Sequence, residues 1–141
     1  MLRLLVPVEE NETREAVITS LIHWLKQLDT QIELHLLNVQ PAMSSEVGMF
    51  VSTQSIHAFQ REEGMKQLTP AMEQLQSASI TFHQHICVGD VADIIMEFAH
   101  EKGIHQIVMG YHSAYTLTAL LLGSIPTRVM QASDIPVMLI R

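Results

Sequence analysis

Val88-Gly89-Asp90-Val91-Ala92-Asp93-Ile94-Ile95-Met96-Glu97-Phe98-Ala99, continued through Gly103 to Gln106-Ile107-Val108-Met109-Gly110, decides the fold class of this chain. Asp90 is placed to cap the free N–H groups of a helix, and Asp93 brings an acid to its positive end. Val91, Ile94, Ile95, Phe98 and Ala99 recur at helical spacing and predict a buried face. Gly103 supplies the stop. The apolar run that follows, Gln106 to Gly110, reads as a strand, and Ile80 to Val88 before the helix reads as another. A helix between apolar strands implies a mainly parallel sheet.

The same alternation extends in both directions. Leu2 to Val8 is apolar apart from Arg3 and Pro7 and predicts a first strand. Asn11 is positioned to cap a helix over about residues 12 to 28, with Val17, Ile18, Leu21, Trp24, Leu25 and Leu28 as its stripe. Ile32 to Val39 predicts a second strand, closed by Pro41. Residues 41 to 55 read as a loop, and a second helix is expected over about Ile56 to Ala78, with Gly64 and Pro70 as weak points. Residues 111 to 122 read as a loop, Ser124 opens a last helix to about Ala132, and Pro136 to Ile140 is a fifth strand. No repeat or linker divides the chain, so residues 1 to 141 are expected to form one α/β domain, an open five-stranded parallel sheet with helices on both faces.

Charge and composition narrow the function. Eight basic residues stand against fifteen acidic ones, a net charge of −7, with no Lys/Arg block to offset it. Nucleic acid is thereby disfavoured as a partner, and so is an anionic membrane surface. No apolar run approaches the ~18 residues of a membrane span. The single cysteine, Cys87, excludes an internal disulfide and fits a reducing compartment, and the start of the chain has no secretory pattern, so a cytoplasmic location is expected.

Three segments in order carry a likeness: Leu4-Leu5-Val6-Pro7-Val8-Glu9; Val88-Gly89-Asp90 with its helix and Ile107-Val108-Met109-Gly110; and Leu121-Leu122-Gly123-Ser124-Ile125, closing with Ser133-Asp134-Ile135-Pro136-Val137-Met138-Leu139-Ile140. Together they resemble the universal stress protein family over nearly the whole chain. The resemblance implies a Rossmann-like sheet of order 3-2-1-4-5 and a homodimer formed through the last strand, Pro136 to Ile140. That strand is short and apolar, with only Arg141 to guard its end, and an unprotected sheet edge invites pairing.

The family divides into members that bind ATP and members that do not. The binders carry G-x2-G-x9-G-[S/T]. Gly110 fills the first position here and Gly123-Ser124 the last, but Ser113 replaces the second glycine. A Cβ there costs roughly 1–2 kcal/mol if the backbone is left-handed. The usual acid after the first strand is Glu9 rather than Asp, and Glu10 adds a further negative charge. Pro126 lacks an N–H that could face an anion, and no Lys or Arg occurs between Gly110 and Thr127. The candidate nucleotide pocket implied by the resemblance comprises Pro7, Glu9, Val39, Met109, Gly110, Ser113, Gly123 and Ser124. Its departures favour a regulatory, non-enzymatic module without tight ATP binding. The alternative is an ATP-dependent switch with slow or no hydrolysis.

His83 and His85 share one face of a strand and could ligate zinc or copper, but spacing shows no third ligand, and a solvated face is the expectation, with no metal and no catalytic residue assigned. The eight histidines are scattered, so exposed positions are expected, His112 in the ligand loop included. Met43 and Met49 fall in the irregular loop, whereas the remaining methionines suit packing. Cys87 in an apolar strand reads as a buried, inert thiol. Glu9-Glu10 with Asp90 imitates a phospho-receiver, but no lysine follows Lys102, and neither a G-x-S-x-G elbow nor a P-loop is present.

Overall fold

In a computed structural model, the structure describes residues 1–43, 49–110 and 124–141. Among these, five strands and four helices alternate along the chain. They are β1 (Leu2–Pro7), α1 (Arg14–Leu25), β2 (Ile32–Gln40), α2 (Thr53–Ser77), β3 (His83–Val88), α3 (Val91–Glu101), β4 (Gln106–Gly110), α4 (Ile125–Ala132) and β5 (Val137–Ile140). The strands form one sheet of order β3-β2-β1-β4-β5, every pair parallel, as expected for this α/β class.

Side-chain alternation divides the core between the two faces of the sheet. Leu4, Val6, Leu34, Leu36 and Val108 pack with Ile18 and Leu21 of α1 and Leu68, Ala71 and Leu75 of α2. Leu5, Leu37, Ile107 and Met109 pack with Ala92, Ile95, Phe98 and Ala99 of α3 and Val129 of α4. Both faces being covered, the central strands are apolar at successive positions, as in Leu4-Leu5-Val6.

Helix α2 runs unbroken through Gly64 and Pro70 and begins three residues earlier than expected, where Ser52 caps it by accepting from the Ser55 N–H. A proline inside a helix costs about 3 kcal/mol. Leu68 and Leu75 are fully buried on the same stripe, each worth roughly 1.5–3 kcal/mol, so tertiary burial outweighs the local cost. Gly64 lies directly against Ile86 of β3. Helix α1 is shorter than expected, and Thr13, not Asn11, occupies its cap position. Asn11 instead accepts from the Thr13 N–H and hydroxyl through Oδ1, closing the turn before the helix. The third strand starts at His83 rather than Ile80, because residues 78–80 finish the preceding helix.

Helices α2 and α3 end in the same way. Ile104 N–H donates to Ala99 O and Gly103 N–H to His100 O; Ile80 N–H donates to Leu75 O and Ser79 N–H to Gln76 O. Both are Schellman closures, which place the residue after the cap in the left-handed region. Gly103 has φ 61° and Ser79 φ 60°. Glycine accepts that conformation freely, and serine does not.

A buried polar network ties the carboxyl ends of β1 and β2 to α2. Asn38 Nδ2 donates to Val8 O and Gln67 Oε1, both at 2.8 Å, and Gln40 Nε2 donates to Asn38 Oδ1 at 2.7 Å. Asn38 and Gln40 are almost wholly buried, so these bonds replace water that cannot reach them.

Two outcomes follow. Ser79→Gly should stabilise the protein by about 1 kcal/mol, read as a higher urea midpoint at unchanged slope. Asn38→Leu should destabilise it by about 2 kcal/mol in the same assay, since it strands the Gln40 amide and the Val8 carbonyl.

Candidate functional site

Strands β1 and β4 are neighbours, Leu4 opposite Gln106 and Leu5 opposite Ile107. The chain leaves β1 for α1 on one face of the sheet, and leaves β4 toward α4 on the other. A crevice therefore opens beyond the carboxyl ends of these strands, the usual ligand position in an open α/β sheet. It holds a cavity of about 120 Å³.

Pro7, Glu9, Val39, Met109 and Gly110, singled out in the sequence, all line this cavity. Ser124 stands next to two further lining residues, Ile125 and Pro126. Ser113 and Gly123 lie outside the described residues, as does His112. Gly110 also has a packing reason: a Cβ there would come within 3.0 Å of Val17 Cγ2 on α1. Other lining residues were not assigned to the pocket from the sequence; Asn11, Thr13, Arg14, Ile95 and Ile125 are among them. The signal for the first three was their place directly after β1, at the carboxyl edge of the sheet.

The polar groups of the crevice are mostly engaged within the protein. Arg14 Nη1 donates to Gln67 O at 3.0 Å, and Asn11 and Thr13 bond to each other. At the start of α4, Ser124 Oγ accepts from the Thr127 N–H at 3.3 Å and lies 2.9 Å from Thr127 Oγ1. The Arg128 N–H donates to Ser124 O, and Pro126 has no N–H to offer. Helix starts bind anions through free amides, and here Ser124 occupies that of Thr127 as an ordinary cap. Glu9 is solvent-exposed as a residue, yet partial burial of its carboxyl raises its pKa.

Other sequence candidates resolve by position. Asp90 caps α3, accepting from the Asp93 N–H, and pairs with Arg128 at 2.9 Å. The Asp93 amide, then Arg128, hold its carboxyl below the ordinary range. Cys87 is half-buried rather than buried, and desolvation, then Glu101 and Glu97, push its thiol pKa up, which disfavours the thiolate. Met49 is highly exposed. The histidines depart from the expectation of solvated positions: His35 is buried and His85 half-buried, because their rings meet on the sheet face covered by α3. No helix among the described residues is long and apolar enough to cross a membrane.

Comparison with known proteins agrees with this architecture. The sequence model of the Universal stress protein family matches residues 1–141. Universal stress protein YxiE of Bacillus subtilis is 28% identical, over 99% of this chain and 98% of its own length. The solved structure of the protein MJ0577, a universal stress protein of Methanocaldococcus jannaschii, superposes with a TM-score of 0.77 at 24% identity, covering 99% of this chain and 94% of that one. A universal stress protein solved in complex with cAMP superposes with a TM-score of 0.72 at 18% identity, covering 99% and 97%. Sheet order, crevice and a family match from the first residue to the last agree: the chain belongs to the universal stress protein family.

Proposed function

We propose that this protein is a cytoplasmic, non-enzymatic module of the stress response that works as a homodimer and does not hold ATP tightly. The observation that carries the reading is the start of α4, where Ser124 and Pro126 leave few amides for a phosphate. The cavity supports it. About 120 Å³ is small against the roughly 300–1,000 Å³ of ligand pockets. Asn11 and Thr13, polar members of its lining, are bonded to each other, and Arg14 spends one donor on Gln67 O.

The two edges of the sheet support the dimer. On the β3 edge, His83 and Gln84 are exposed polar side chains, a usual protection against strand addition. On the β5 edge, Val137, Met138, Leu139 and Ile140 are all apolar and only half-buried.

A nucleotide-dependent switch is the second reading. It is favoured by the crevice at the switch point and by the cAMP complex of a structural neighbour. Its carriers would be Glu9, Gly110, Ser113, Gly123 and Ser124, with Pro7, Val39 and Met109 around the base.

Thermal unfolding with millimolar Mg-ATP, and separately with cAMP, tests the two readings. A ligand at about 100 times its Kd adds roughly 2.7 kcal/mol, several degrees in Tm. The expected result is no shift with Mg-ATP. A shift of several degrees that a folded Val39→Trp variant loses would establish the switch. For the dimer, Val137→Lys should yield monomers on a sizing column, and a dimer that survives the change would rule out this interface.

A further inference from the structure

We propose that His35, His83 and His85 form a binding site for a divalent transition-metal ion, with zinc as its natural occupant. None of the three lines the crevice described above, so the site is independent of the nucleotide question.

Strand geometry brings the rings together. His83 and His85 alternate onto one face of β3. The register pairs His35 with His83 and Leu37 with His85, and Leu37 packs toward α3. All three histidines therefore point to the face covered by α3. His35 is the third imidazole that spacing along the chain does not reveal.

Hydrogen bonding then fixes the tautomers. His35 Nε2 lies 3.2 Å from Glu33 Oε2, and an ionised carboxylate only accepts. His35 thus carries its proton on Nε2 and turns a bare lone pair outward on Nδ1. That Nδ1 is 2.9 Å from His85 Nε2, which must supply the hydrogen. A metal in place of this one hydrogen would be ligated by both rings, His85 moving its proton to Nδ1. For a zinc–nitrogen distance of 2.0–2.1 Å in tetrahedral geometry the two nitrogens need to open to about 3.4 Å, a small displacement of the half-buried His85 ring.

The support behind the ligands is that of a metal site. Glu33, which orients His35, is itself held by Arg3 Nε at 2.9 Å. A carboxylate on the far nitrogen of a ligating imidazole is the usual arrangement for fixing tautomer and basicity. Phe98 roofs the pair, its ring centroid 4.7 Å from that of His85 and 6.0 Å from that of His35. As they stand, no three such side chains among the described residues are arranged to hold a metal. His83 completes the set by rotation: it is exposed, stacks on His35 at 5.0 Å, and has no hydrogen bond among the described residues. Water fills the fourth position. Lys102, 6.0 Å from the Phe98 ring centre, is the opposing charge nearby, and being exposed it can turn away.

Calorimetric titration of untagged, chelator-treated protein with zinc chloride at neutral pH decides the matter. One ion per chain is expected. His83→Gln and His85→Gln should each weaken binding at least tenfold, and Glu33→Gln about tenfold through loss of ligand orientation. The exposed His57→Gln should leave binding unchanged. Imidazole NMR shifts should move for His35, His83 and His85 together. Because His83 is exposed, its variant retains the fold, which circular dichroism checks. Absence of binding at millimolar zinc overturns the site. So does binding that survives His83→Gln, or binding that falls equally with His57→Gln.

Discussion

Leu4, Leu5 and Val6 are sealed on both faces of the sheet while β1 is hydrogen-bonded to β2 on one side and β4 on the other. Both of its neighbours are parallel, and a parallel neighbour must be reached by a crossover. The right-handed rule sends those crossovers to opposite faces. Two hydrophobic layers result, one beneath α1 and α2 and the other beneath α3 and α4. The crevice where the layers part follows from this packing and would exist without any ligand. Its presence is a property of the fold, and its use depends on the groups that rim it.

At the rim, competition for backbone amides is the controlling chemistry. The hydroxyl of Ser124 can cap α4 or greet a phosphate, and the cap needs no second molecule. Pro126 removes a further donor at the same turn. Gly110, which the nucleotide motif shares with simple close packing, is already accounted for by Val17. Packing and capping thus each give Gly110 and Ser124 a role that needs no ligand.

How far the sequence could be read follows the range of the interactions concerned. The alternation of strands and helices and the layered architecture were legible because Val91 to Ala99 and the apolar strands carry their periodicity locally, whereas the strand order came from the resemblance to the family. The cap Asp90 and the stop Gly103 were equally local. The left-handed Ser79 was not, since serine announces no such conformation. The start of α2 was placed three residues late because its cap, Ser52, falls in a stretch that reads as loop. In the crevice, the residues at strand ends were found, and Arg14, delivered by a turn, was missed. His35 shows the limit most clearly: it lies 50 positions from its hydrogen-bond partner His85, a distance that only parallel register closes.

The unequal edges of the sheet carry one further consequence. Strand addition at the first half of β3 meets the exposed polar pair His83 and Gln84, whereas β5 is apolar throughout. A sheet that can be extended in one direction only has a valence of one. Two copies joined through that edge by a twofold axis consume it, and no free ladder remains for a third. Equal edges would have allowed open-ended growth into fibres. The polar start of β3 would then limit the size of such an assembly from the side opposite its interface.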